Sequence, residues 1–175
     1  MAAILLAGRE HIDQIISLNK RYLVTNLPKN KTEKGFIRIE YSEADIREII
    51  RNEEIVVALS VNKVIGYYLI GKKTNKSVLE YQQKESISFA LSIKTEPGKL
   101  GYGCQVCIDE NFRSNGLFHR MLGILSDAVR DKYNYLLCSV SEENPLSLKR
   151  HLNNGWQVFR SGESVKFLTY PINNM

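Results

Sequence analysis

Apolar positions recur along this chain with two periods, and the periods divide it into elements. The opening run Ala2-Ala3-Ile4-Leu5-Leu6-Ala7, stopped by Gly8, reads as a first strand. Over residues 9–22 the spacing of Ile12, Ile15 and Ile16 is that of one helical face. Residues 26–40 lose the period: Asn26-Leu27-Pro28 is followed by Lys29, Lys31, Lys34 and Arg38, the pattern of a loop. Ser42-Glu43-Ala44-Asp45 has the form of a capping box, and Ile46, Ile49 and Ile50 then line a second helix. Two β-rich runs, Ile55–Val61 and Val64–Ile70, flank the polar pair Asn62-Lys63 and predict a hairpin.

Residues 74–100 are the least legible, and Val78, Leu79, Ile87, Phe89, Ala90, Leu91 and Ile93 suit a helix followed by a strand, ended by the turn Glu96-Pro97-Gly98. Tyr102–Ile108 alternates as a strand, and Gly116–Tyr133 puts Leu117, Phe118, Met121, Leu122, Leu125, Ala128 and Val129 on one side of a helix. Tyr135–Val140 is a strand. Asn144-Pro145 offers an N-cap with proline at the first helical position, and Gly155 closes that helix. Two last strands, Trp156–Arg160 and Val165–Tyr170, turn at Ser161-Gly162. The β-α-β unit from Tyr102 to Val140 forces a parallel pair while the hairpin is antiparallel, so an α/β fold (α+β by some schemes) with helices on a mixed sheet is expected. With 175 residues, no internal repeat and no linker, one domain over 1–175 is expected.

Composition narrows the function classes. Hydrophobic residues at 43% and charged ones at 25% exclude a disordered, collagen-like or coiled-coil chain. A net charge of +5 predicts an anionic partner: nucleic acid, a membrane surface or a phosphorylated small molecule. No apolar run approaches the ~20 residues of a spanning helix, so no membrane partner is expected. The first apolar stretch is too short for a signal peptide and has no basic residue before it, which gives a cytoplasmic expectation. Three cysteines, Cys104, Cys107 and Cys138, form an odd, sparse set that fits a reducing compartment. Cys104 and Cys107 sit three apart on a strand, so their thiols face opposite sides and cannot share a metal; no metal is expected.

The sharpest chemical signal is Ile108-Asp109-Glu110-Asn111-Phe112-Arg113-Ser114-Asn115-Gly116-Leu117-Phe118, between a strand and a helix. A helix N-terminus presents unpaired N–H groups and a positive dipole end, Gly116 permits close backbone approach, and Arg113 adds a charge, so a phosphate suits this turn. A Walker loop is absent, and Gly101-Tyr102-Gly103 precedes a strand and lacks the third glycine of a dinucleotide fingerprint.

Ile108–Leu122 resembles motif A of the GNAT superfamily, the acyl-CoA-dependent N-acyltransferases, whose core (R/Q)-x-x-G-x-(G/A) is met here by Arg113-Ser114-Asn115-Gly116-Leu117-Phe118. Asn144-Pro145-Leu146-Ser147 through Gly155-Trp156 is similar to the family's second motif, and the element order matches from end to end. Asn26-Leu27-Pro28, Gly35-Phe36 and Tyr102-Gly103 with Val106–Asp109 are similar to one bacterial branch. The resemblance implies a mostly antiparallel, helix-flanked sheet of about six to seven strands, splayed at a parallel pair to form a cofactor cleft. It implies that the amides from Arg113 through Ser114, Asn115, Gly116 and Leu117 to Phe118 hold the pyrophosphate of acetyl-CoA. Val106–Ile108 would pair with the pantetheine, and the Cys107 N–H would stabilise the oxyanion. Asn144 and Ser147 are counted among the cofactor contacts. The implied reaction is direct attack of a primary amine of a small molecule or peptide on the thioester, in a monomer or homodimer, with no covalent enzyme intermediate.

Two departures stand out. Phe118 replaces the small residue after Gly116-Leu117, and His151 stands where the family has a tyrosine that protonates the leaving thiolate, which makes His151 the candidate general acid. For the base, Glu80, Glu85, Glu96, Glu142, Glu143, Tyr102 and Gln105 are candidates that the sequence does not rank. The tyrosine-to-histidine change also supports a second reading, a catalytically inactive acyl-CoA-binding sensor or interaction module. A third, a nucleic-acid binder using the 29–38 loop, ranks last because no aromatic–basic interleaving supports it.

Overall fold

Strand and helix propensities act here on a chain whose middle strands are covered on both faces. The computed structural model describes residues 2–28, 32, 34–74, 77–113 and 115–172. In chain order the elements are β1 (Ala3–Leu6), α1 (Ile12–Tyr22), α2 (Glu43–Arg51), β2 (Ile55–Ser60), β3 (Lys63–Ile70), α3 (Val78–Ser92), β4 (Leu100–Gly101), β5 (Cys104–Ile108), α4 (Leu117–Val129), β6 (Tyr135–Ser141), α5 (Pro145–Leu152), β7 (Gln157–Ser161) and β8 (Val165–Pro171). Among the described residues the strands form two four-stranded sheets, in the orders β1-β2-β3-β5 and β4-β6-β8-β7.

Period-two alternation sorts the first sheet's side chains into two cores. Ile55, Val57, Tyr67 and Leu69 pack with Ile15, Leu18, Ile46 and Ile49 of α1 and α2. Val56, Ala58, Tyr68 and Ile70 pack with Met121, Leu122 and Leu125 of α4 and with Leu136 and Leu168 of the second sheet. Because both faces are buried, β2 and β3 read as near-continuous apolar runs although their pairing is antiparallel. The capping box forms as expected: Ser42 Oγ accepts from Asp45 N (3.3 Å) and Asp45 Oδ2 accepts from Ser42 N (2.8 Å).

Two expectations change. Residues 78–92 form one helix with no strand in its second half. Phe89 meets Tyr135 and Phe159, Tyr81 meets Phe167, and Leu91 stays exposed, so the apolar side chains of α3 do not fall in one stripe. The run read as one strand over 102–108 belongs to a chain segment split between the sheets, Leu100–Gly101 in one and Cys104–Ile108 in the other. That split raises the strand count above six to seven.

Candidate active site

The split makes a fork. Leu100 and Gly101 pair in parallel with Tyr135 and Leu136 of β6. Gly103 then takes a left-handed φ of +77°, which favours glycine, and a Cβ there would also crowd Leu79 Cδ2 at 3.2 Å. Beyond it, Cys104 to Ile108 pair with Ile70 to Gly66 of β3 and leave β6. Gln82 of α3 spans the fork near its base: its Oε1 accepts from Gly103 N (3.1 Å) and its Nε2 donates to Ser139 Oγ (2.9 Å).

Backbone parity decides which groups face the opening. Asp109 N donates to Ile65 O at 2.8 Å and Gly71 N to Gly103 O at 3.1 Å, which fixes Asp109/Ile65 and Gly103/Gly71 as hydrogen-bonded pairs. Counting by twos between them, the N–H and C=O of Gln105 and Cys107 face β3, and those of Val106 and Ile108 face the fork. The Ile108 carbonyl accordingly accepts from Arg113 Nε (2.9 Å) outside the ladder.

Two cavities meet at this unpaired edge. The first, about 360 Å³, runs from Val106, Cys107 and Ile108 to Gly116, Leu117 and Phe118 at the start of α4, with Lys34, Arg113 and Arg150 around it. The second, about 340 Å³, lies between β5 and β6 and reaches Gln105, Ser139, Ser141 and His151. Phe36, Ile37, Val106, Asn144 and Ser147 line both and mark the junction.

Local sequence explains the first cavity. Gly116 caps α4 with φ +69°, and nothing lies within 4 Å of where its Cβ would stand, so the helix N-terminus is open to a ligand. Arg113 lines the cavity, but its Nε is held by Ile108 O, its guanidinium also donates to Lys34 O, and it sits 5.1 Å over the Tyr22 ring. Its first role is to shape the turn. The turn is further pinned by Arg21 to Asp109 (2.8 Å) and by Glu110 N to Tyr22 Oη (2.8 Å). At α5, Asn144 Oδ1 accepts from Ser147 N (3.2 Å) while its Nδ2 donates to Phe36 O (2.9 Å), so one side chain caps the helix and ties down the 35–39 segment.

The second cavity has a buried polar floor. Tyr67 Oη accepts from Gln105 Nε2 and from Asn19 Nδ2, each at 2.9 Å, and Asn19 Nδ2 also donates to Ile39 O. Tyr67→Phe strands the Gln105 amide, and unfolding in urea should show a loss of about 1–3 kcal/mol; an unchanged midpoint contradicts the network.

His151 lies on this cavity only 4% exposed. Its ring stands edge-on to Phe118 at 5.0 Å and to Trp156 at 5.2 Å. Burial pushes its pKa down to about 4, opposed by its bond to the Ser147 carbonyl. That carbonyl, 2.8 Å from Nδ1, can only accept, so the single proton of the neutral ring is on Nδ1 and points away from Nε2. The thiols are also neutral: burial pushes Cys107 up to about 12 and raises Cys104 and Cys138, so none is a poised nucleophile.

No family model and no curated protein matches the sequence. Solved structures match the fold. An N-acetyltransferase from Staphylococcus aureus Mu50 aligns with TM-score 0.65 at 15% identity, covering 99% of both chains. A PaiA N-acetyltransferase from Thermoplasma acidophilum, in complex with coenzyme A, aligns at 0.66 and 10%, over 98% of this chain and 99% of its own. A GNAT superfamily phosphinothricin acetyltransferase from Sinorhizobium meliloti, in complex with acetyl-CoA, aligns at 0.62 and 16%, over 97% and 88%. The fold is that of the GNAT acetyltransferases.

Within the GNAT fold the expected cofactor contacts gather on one cavity: Val106, Cys107, Ile108, Arg113, Gly116, Leu117, Phe118, Asn144 and Ser147 all line it. Asn115 is exposed beside it, and Ser114, like Lys29 and Lys31 of the basic loop, lies outside the described residues. One expectation is corrected. The Cys107 N–H faces β3, so it cannot be the oxyanion donor; the amide turned to the fork is that of Val106. The base candidates scatter. Glu85 pairs with Arg160 (2.8 Å), Glu142 with Lys166 (2.9 Å) and Glu143 with Arg38 (2.6 Å), and none of the seven except Gln105 lines the second cavity. No metal-ligating cluster occurs among the described residues, and no described helix is long and apolar enough to cross a membrane. Sequence reading missed Gln82 and Arg38 as groups of the fork. The signal for Arg38 is the alternation Ile37-Arg38-Ile39-Glu40-Tyr41, in which the three apolar residues are buried and the two charged ones exposed.

Proposed function

We propose that this chain transfers an acetyl group from acetyl-CoA to a primary amine by direct attack in a ternary complex. The observation that carries the reading is the unpaired β5 edge at Val106 and Ile108, set where a cavity leading to the open α4 N-terminus meets a second cavity. The amides from Gly116 to Phe118 would take the pyrophosphate, with Lys34, Arg113 and Arg150 adding positive potential. Val106 and Ile108 would pair with the pantetheine amides as an added strand. The Val106 N–H would hold the thioester oxygen as it gains charge. The amine would approach through the second cavity and lose its proton to water, since no carboxylate among the described residues lines that cavity. Ser147, at the junction, would face the leaving sulfur.

His151 would orient this wall and not act as the acid, because its one proton is committed to the Ser147 carbonyl. The same observation favours a second reading, an acyl-CoA-binding module without turnover. Isothermal titration with acetyl-CoA and CoA, followed by thiol release over an amine panel, separates the two. Binding with release supports transfer, binding without release supports the module, and no binding at millimolar ligand removes both.

A further inference from the structure

We propose that the amine accepted here is the α-amino group of a short peptide or peptide-like molecule whose carboxylate is held by Arg38 at the mouth of the second cavity. The inference rests on the acetyl-transfer reading and adds to it the class of acceptor.

The lining of the second cavity is neutral except at one point. Gln105, Ser139, Ser141 and Ser164 offer hydrogen bonds without charge, and Arg38 is the only cation of the lining among the described residues. A polyamine or an aminoglycoside would bring several ammonium groups into a cleft whose lining, among the described residues, has no carboxylate, the nearby Glu143 being paired with Arg38. The chain's net charge of +5 repels them further. A carboxylate is favoured on both counts.

Arg38 is presented for such a contact. Ile37 and Ile39 are buried on either side of it, which aims the intervening side chain outward. Its guanidinium lies 5.3 Å over the Phe36 ring and donates to Ser141 Oγ (3.2 Å) and Glu143 Oε2 (2.6 Å). The partner Glu143 is 76% exposed and the Arg38 side chain 51% exposed, so their ion pair is a water-screened contact of small net worth. A substrate carboxylate can displace it and gain the planar two-point geometry that a guanidinium offers.

Amine basicity points the same way. With no carboxylate among the described residues of the lining and a neutral His151, those residues offer no strong base to strip an ammonium. A peptide α-amino group, with a pKa of about 7.7–8.0, presents far more free base at neutral pH than an alkyl amine at about 10.4.

The test measures thiol release from acetyl-CoA with di- and trialanine as free acids and as C-terminal amides, beside spermidine, kanamycin and Nα-acetyl-lysine. The acids should exceed their amides and the polycations by about tenfold or more in kcat/KM, and Arg38→Gln should bring the acid-to-amide ratio close to one, with Arg38→Lys between. Titration of trialanine into the CoA-saturated protein reads the same contact without turnover, and Arg38→Gln should weaken it by about tenfold. Preference for spermidine or kanamycin, or a ratio that Arg38→Gln leaves unchanged, overturns the inference while acetyl transfer stands. Arg38-dependent peptide binding without thiol release keeps the acceptor site and overturns transfer. Neither binding nor release overturns both.

Discussion

Acidification from pH 6.5 to pH 4 should remove about 3 kcal/mol of folding stability through His151 alone. In the native state burial among Phe118 and Trp156 pushes its pKa down to about 4, whereas the unfolded imidazole titrates near its usual 6.5. Between those values the unfolded chain binds a proton that the folded one refuses, so stability is intact above pH 6.5 and falls as pH drops towards 4. Glu54, whose carboxyl is raised by burial beside Tyr133, works in the opposite direction and is common to wild type and variant. Urea midpoints of wild type and His151→Phe, measured from pH 7.5 to 4, isolate the effect: the wild type should lose its advantage steadily over that window. Any fixed cost of the substitution drops out of the slope. Parallel curves would show that the ring titrates normally. The same shift predicts that no limb of the activity profile between pH 6 and 7 belongs to His151.

The parts of this molecule that the sequence discloses are those whose reasons are local. Ser42 and Asp45 cap α2 through bonds three residues apart, Asn144 caps α5 in the same way, and Gly116 marks a turn that needs a left-handed residue. The open N-terminus of α4 and its left-handed glycine are therefore legible from the sequence alone. What stayed hidden depends on contacts distant in sequence. The fork arises because Gly103 turns the strand and Gln82, from the least periodic helix, bonds to both sides of the opening. His151 looks exposed beside Asn153-Asn154, yet the aromatic rings of Phe118 and Trp156 close over it. Cys107 was a reasonable donor by position in its motif, and only the register with β3 shows that its amide is already used.

The two departures from the family pattern are one feature in space. Phe118, where a small residue is expected, and His151, where a tyrosine is expected, meet edge to face at 5.0 Å. Tyr68, Phe118, His151, Trp156 and Tyr170 continue as a chain of rings across the wall behind the junction. A smaller ring at 151 leaves room for a larger one at 118, so the two changes fit as a packed pair. The larger side chain at 118 leaves the backbone amide at the start of α4 available, because that N–H belongs to the main chain. The pairing also puts an imidazole where the family pattern has a phenol, so the proposed transfer would rely mainly on backbone donors.

If that is so, deleting one N–H should matter more than deleting any side chain here. Exchange of the Val106 amide for an ester, which removes its N–H and weakens the Gln105 carbonyl as an acceptor, should lower kcat by about 10²–10³-fold, the usual effect of losing one oxyanion donor. Stability should fall by less than when a ladder N–H is lost, because the Val106 N–H faces the fork and only the Gln105 carbonyl bond to β3 is weakened. The same exchange at Cys107 should do the reverse: it removes a ladder bond to Tyr67, costs about 1 kcal/mol in urea, and leaves the oxyanion donor in place. Val106→Pro and Cys107→Pro repeat the contrast genetically, since proline is tolerated where a strand N–H is unpaired and disrupts where it is paired. Acetyl-CoA affinity, read by titration, separates a lost oxyanion contact from a blocked cleft: the first lowers kcat at nearly constant Kd, the second raises Kd. A Val106 ester with wild-type kcat, or equal effects at the two positions, would mean that the strand's parity does not decide the chemistry. The contrast is strong because neighbouring residues on one strand differ only in which way their amides point.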